Sequence, residues 1–85
     1  AAASYADLEF LSGFIALRRL DDPATALRHF QNLKAAVTTP ISLARANYWI
    51  GRAEDALGQD PTASFQAAAR HQTAFYGLLA SERLG

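Results

Sequence analysis

The chain has 85 residues, 51% of them hydrophobic and many of those alanine, with eight basic and eight acidic side chains and a formal net charge of zero. A balance of this kind offers no basic face for neutralising phosphates, and the absence of cysteine excludes a disulfide frame and a thiolate metal site. No stretch approaches the ~18 consecutive apolar residues of a membrane span, and no secretory leader is visible.

The first predicted helix covers about 5–20, with Ser4 as its N-cap and Asp7 as the acid of its first turn. It carries two apolar stripes, Leu8-Leu11-Ile15 and Phe10-Phe14-Leu17, so two of its sides are expected to be covered. A second helix over about 23–37 starts at Asp22-Pro23, and a third over about 40–57 starts at Thr39-Pro40. In both, a capping side chain stands directly before a proline whose missing N–H costs nothing in the first turn. Their apolar residues recur at one spacing: Ala26, Phe30, Leu33 and Val37 in one, Ala46, Ile50, Ala53 and Leu57 in the other. Gly58 falls where a left-handed C-cap is expected. The same cap-proline pair, Asp60-Pro61, opens a fourth helix over about 61–71. Thr73 caps a fifth over about 74–84, and Gly85 ends it. Connections this short make successive helices antiparallel neighbours. The expected fold is all-α.

Two stretches follow the same plan 38 positions apart. Gly13 matches Gly51, Asp22-Pro23 matches Asp60-Pro61, and Phe10-Leu11 matches Tyr48-Trp49. Such self-similarity is the mark of a helical-repeat solenoid. The chain therefore reads as one segment, 1–85, made of a hairpin 5–37, a hairpin 40–71 and a final half-hairpin 74–84. Glycine inside a helix costs roughly 1 kcal/mol relative to alanine, so Gly13 and Gly51 are expected where another helix approaches closely. The tetratricopeptide-like order of small residue and aromatic, Ala26 then Phe30, is met only loosely in the second unit, where Ala68 stands in the aromatic position. With no methionine and a start at Ala1, the chain is expected to be a segment of a longer polypeptide.

Catalytic and metal chemistry finds little support. Asp21, Asp22 and Asp60 are explained by capping, while Asp7, Glu9, Glu54 and Asp55 fall on polar faces or in first turns. The two histidines, His29 and His71, form no H-x-x-x-H or H-E-x-x-H pattern, so no metal ligand is assigned. The serines lack a nucleophile elbow, and no glycine-rich loop could hold a phosphate or cofactor. The aromatic pairs Tyr48-Trp49 and Phe75-Tyr76 lie on successive predicted helices. They are the candidate contacts for a glycan or partner, set against the simpler role of filling the wedge between hairpins. Trp49 is the one to suspect if exposed.

The run from Asp22 to Phe30, the run Thr39-Pro40-Ile41-Ser42-Leu43-Ala44-Arg45-Ala46-Asn47-Tyr48-Trp49-Ile50-Gly51-Arg52-Ala53, and the closing stretch from Ala67 to Ala80 with Phe75-Tyr76-Gly77 resemble the superhelical segment of bacterial soluble lytic murein transglycosylases. Gln72 and Leu78 depart from the family pattern of proline and glutamine there. The resemblance implies a TPR-like superhelix in a periplasmic, peptidoglycan-cleaving protein that yields a 1,6-anhydro product. It also implies contact with the parent's own catalytic domain, with flanking repeats and with murein glycan. The family's catalytic glutamate lies in a Glu-Ser motif, whereas Glu82 precedes Arg83, so no catalytic residue carries over. A TPR-like protein–protein adaptor is the alternative. A segment cut from its neighbours is expected to self-associate through a terminal helix.

Overall fold

The first three helices begin where a side-chain oxygen takes an orphaned backbone donor. The computed structural model describes residues 4–71 and 75–85, and five helices run through them: α1 (Tyr5–Arg18), α2 (Pro23–Ala36), α3 (Pro40–Ala56), α4 (Thr62–Ala69) and α5 (Phe75–Leu84). Among the described residues there is no strand. Ser4 Oγ accepts from the Asp7 amide, Asp22 Oδ1 from Thr25 and Thr39 Oγ1 from Ser42, at 3.1, 3.2 and 3.3 Å.

The fourth start differs from expectation. Asp60 Oδ1 accepts from the Thr62 amide at 3.0 Å and from its hydroxyl at 2.6 Å, only two residues on. Pro61, expected as the first helical residue, takes the N-cap place, so α4 opens at Thr62. The expected cap at Thr73, the helix start at Ala74 and the departure at Gln72 lie outside the described residues.

The helix ends divide between a glycine and an aspartate. After α3, Gly58 has φ +76° and the Gln59 amide donates back to the Glu54 carbonyl at 2.9 Å, closing the Schellman bond pattern. After α1, the left-handed residue is Asp21, at φ +50°. Aspartate is among the few side chains that tolerate this region. The turn lets the Asp22 amide reach the Ala16 carbonyl at 2.8 Å while the Asp22 side chain caps α2.

Consecutive helices pack on each other, and α3 also packs on α5. The radius of gyration, 11.9 Å, is that of a close-packed chain of this length, for which about 12 Å is expected. The stripes read from α2 and α3 form the core through Ala26, Phe30 and Leu33, with Ala46, Ile50 and Ala53, all buried, while their last members, Val37 and Leu57, are half-buried C-cap residues. In α1 one of the two expected buried faces stays open. Phe10, Phe14 and Leu17 pack inward, while Leu8, Leu11 and Ile15 remain exposed, with none of the described helices lying against that side.

Two mid-helix glycines hold the bundle together. A Cβ on Gly13 would lie 2.5 Å from the Phe30 ring, and a Cβ on Gly51 would lie 2.5 Å from the Phe65 ring, against the same ring atoms in each pair. The second unit therefore does keep its aromatic, supplied by Phe65 rather than by position 68. Ala68 takes the small-residue place beside it, reversing the order of Ala26 and Phe30. At Gly77 a Cβ would collide with the His71 carbonyl oxygen, so this glycine admits the end of α4 against α5.

Replacing Gly13 or Gly51 with alanine is expected to destabilise the chain by roughly 1–2 kcal/mol despite the better helix propensity, since overpacking against a buried ring costs about 1–3 kcal/mol. Gly77→Ala is expected to cost more, because a backbone carbonyl yields less readily than a ring. Urea unfolding midpoints measure all three, and a stabilised Gly13→Ala would remove the close approach from the account.

Candidate functional site

One indole organises the interior. Trp49 of α3 is only 8% exposed, and its ring lies 5.4 to 6.0 Å from those of Phe14, Phe30 and Phe10, and 5.5 Å from Tyr48. Tyr76 of α5 closes the row, 5.5 Å from Tyr48 and 6.4 Å from Trp49. Several of these pairs are edge-to-face, the arrangement that the ring quadrupole favours. The seam thus draws on α1, α2, α3 and α5, and Tyr48 adds the Phe65 ring of α4 at 5.8 Å.

Of the four aromatic candidates, the structure brings Tyr48, Trp49 and Tyr76 together and buries the first two. Phe75 touches Tyr76 at 5.2 Å but is itself 67% exposed. Trp49 does not meet the condition under which it was to be suspected. Of these four, Phe75 alone is exposed enough for its ring to stack on a ligand.

Two arginines overlie the seam. Arg52 lies 5.4 Å above Trp49 and donates to the Tyr48 hydroxyl at 3.0 Å, while Arg45 lies 4.6 Å above Phe10 and 3.9 Å from the Asp7 carboxylate. Guanidinium over an aromatic face is attractive by about 0.5–2 kcal/mol. The i, i+4 spacing of Tyr48 and Arg52, on one helix face, was the available sequence signal for this pairing. The Trp49 Nε1–H and the Arg45 Nε are buried without an acceptor among the described residues.

A polar cluster joins α1 to α2. The His29 Nδ1–H donates to Glu9 Oε2 at 2.8 Å and the Asn32 amide donates to the same oxygen at 3.3 Å. Glu9, expected on a solvated face, is instead largely covered and paired. Nothing local signals this, because the partners are 20 and 23 positions away. The hydrogen bond from His29 holds the Glu9 carboxyl below its ordinary 4.5. Asn32, the His29 charge and Tyr5 add to this, against partial desolvation. His29 and Asn32 continue, with Arg28 and Gln31, into an open cleft of about 310 Å³.

A second cleft, about 450 Å³, lies between the end of α3, the start of α4 and the end of α5, lined by Asp55, Thr62, Phe65, Gln66 and Arg83 among others. Three further carboxylates have structural partners: Glu54 accepts from the Ser64 hydroxyl at 2.6 Å, Asp22 caps α2, and Asp60 holds the Thr62 amide and hydroxyl. The hydrogen bonds from Thr25 and Thr62 lower the pKa of Asp22 and Asp60 from their ordinary 3.8. Among the described residues no group of three or more His, Cys, Asp and Glu side chains could hold a metal ion, and no helix is long and apolar enough to cross a membrane.

No protein-family profile, curated protein or solved structure matches this chain.

Trp49→Ala is expected to cost about 3–5 kcal/mol, and Phe75→Ala less than about 0.5 kcal/mol, in chemical denaturation. Equal costs would contradict the burial order. Carboxyls lowered in the folded state contribute stability that is complete above their unfolded pKa and lost as pH falls through the folded value. Stability should hold from neutral pH to about 5 and decline below about 4.5 as Glu9, Asp22 and Asp60 protonate. Glu9→Gln should shallow that decline, as read from urea midpoints at neutral and acid pH.

Proposed function

We propose that this chain is a non-catalytic helical-repeat scaffold, arranged as a TPR-like superhelical segment. In this reading it belongs to a peptidoglycan lytic transglycosylase of the periplasm, where it supports the catalytic domain and meets murein glycan. The observation that carries the scaffold reading is the glycine–phenylalanine contact made twice, Gly13 with Phe30 and Gly51 with Phe65, at matching distances. Units that repeat one packing contact are built to stack, and stacked units present surfaces. The carboxylates support the same reading, since Asp22, Asp60, Glu9 and Glu54 are engaged in caps and inter-helix bonds. The transglycosylase setting rests on the Thr39–Ala53 and Phe75-Tyr76-Gly77 stretches. Exposed Phe75 would be the stacking surface for a sugar ring, with the buried Tyr48 and Trp49 beneath Tyr76 holding α5 in place.

One observation favours an adaptor instead: the cleft beside α2 is lined by Arg28, His29, Gln31 and Asn32, side chains suited to a peptide carboxylate.

Incubation with purified sacculi tests the reading. The chain is expected to co-sediment with the insoluble murein and to release no 1,6-anhydro-muropeptides by mass spectrometry, with Phe75→Ala weakening the co-sedimentation. Release of anhydro products would overturn the scaffold reading. Failure to sediment, together with binding to peptides bearing a free C-terminal carboxylate that Arg28→Glu abolishes, would establish the adaptor.

A further inference from the structure

The register of the internal repeat indicates what covers the open side of α1. Thirty-eight positions separate Leu8, Leu11 and Ile15 from Ala46, Trp49 and Ala53 of α3. On α3 these places are 0%, 8% and 0% exposed, with Trp49 covered by rings of α1, α2 and α5; on α1 they are 53%, 52% and 40% exposed. Tyr5 prolongs the bare stripe toward the start of α1. The face is therefore built to the plan of one that, in the next unit, is an interior contact.

A matching surface lies on α5. Phe75 and Leu78, 67% and 55% exposed, fall three residues apart with Glu82 four further on, all on one helix face. The charges complement each other along the two stripes. The α1 stripe runs on to exposed Arg18 and Arg19, and the α5 stripe runs on to exposed Glu82. Seven residues separate Leu11 from Arg18, and seven separate Phe75 from Glu82. Laid parallel, the two helices would set ring and leucine against apolar residues and carboxylate against guanidinium. Parallel is the direction that short connections impose on alternate helices of one chain.

We propose that a second copy of this chain seats the Phe75–Leu78 face of its α5 on the Tyr5–Ile15 face of α1, so that the row α1, α3, α5 continues from copy to copy. The contact is heterologous: each copy offers one donor and one acceptor face, and the row stays open at both ends, so Phe75 stays free for a sugar ring only on the copy whose α5 ends the row. The inference rests on the helical-repeat reading above and adds the partner.

Sedimentation velocity with end-blocked variants tests it. The parent chain is expected to gain mass with concentration beyond a dimer. Leu11→Glu blocks the acceptor and Leu78→Glu the donor, so each alone should be monomeric, with far-UV circular dichroism unchanged. Mixed in equal amounts they should give a discrete 1:1 heterodimer, because one intact face of each kind survives. If Leu11→Glu loses helix, Leu8→Lys takes its place. Glu82→Arg in the donor should weaken the heterodimer by roughly tenfold, and Arg18→Glu with Arg19→Glu in the acceptor should restore it. A mixture that stays monomeric, a variant that still self-associates alone, or a concentration-independent parent would overturn the proposal. A monomeric parent that behaves as expected on sacculi would defeat the docking alone. Anhydro-product release would defeat the scaffold reading and leave the contact to the sedimentation result.

Discussion

Close approach of a glycine backbone to a phenylalanine ring is the contact on which the rest of this structure depends. At Gly13 and again at Gly51 the missing Cβ lets one edge of a ring come close against the helix backbone. Inter-helix distance in a small bundle sets which side chains can meet, and a chain of 85 residues has little spare core with which to compensate. With α1 and α2 drawn together, Glu9 comes within reach of His29. With α3 and α4 drawn together, Glu54 reaches Ser64. The polar bonds between helices are consequences of the same two contacts.

Alanine abundance has its explanation there as well. Ala16, Ala26, Ala46, Ala53, Ala68 and Ala80 are all buried, so small side chains line much of the space between helices. The volume they leave is taken by few large groups, and Trp49 is the largest of them. Its ring meets aromatic partners from α1, α2 and α5 as well as Tyr48 beside it. A buried hub of this kind is a packing element first. The exposed rings and leucines lie instead on α1 and α5, outside this hub.

Much of the local architecture was legible in the sequence because helix starts are short-range chemistry. Ser4, Asp22 and Thr39 cap within three residues, and the prolines after Asp22 and Thr39 sit where no N–H is needed. Gly58 ends α3 through its own backbone freedom. The buried stripes of α2 and α3 were equally legible from period alone. The candidate site was less so. Tyr48, Trp49 and Tyr76 lie together, but which of them faces solvent depends on helices up to 39 positions away, from Phe10 to Trp49. Position 68 was misread as the missing aromatic because the period was carried rigidly through α4. In the folded chain Phe65 meets Gly51, which places the equivalent ring three residues earlier in the repeat.

The amino-acid sequence by itself determined that this chain is helical, where its first three helices begin and which stripe each of α2 and α3 would bury, because capping, proline geometry and 3.6-residue periodicity act within a turn or two. Only the tertiary structure decided that one of the two apolar sides of α1 is left open, that Phe65 replaces position 68 against Gly51, that Trp49 is interior while Phe75 is not, and that Glu9 belongs to His29. Each of these is a contact between helices, and contacts between helices are set by how closely backbones approach and by which neighbour is present, quantities that no local pattern encodes.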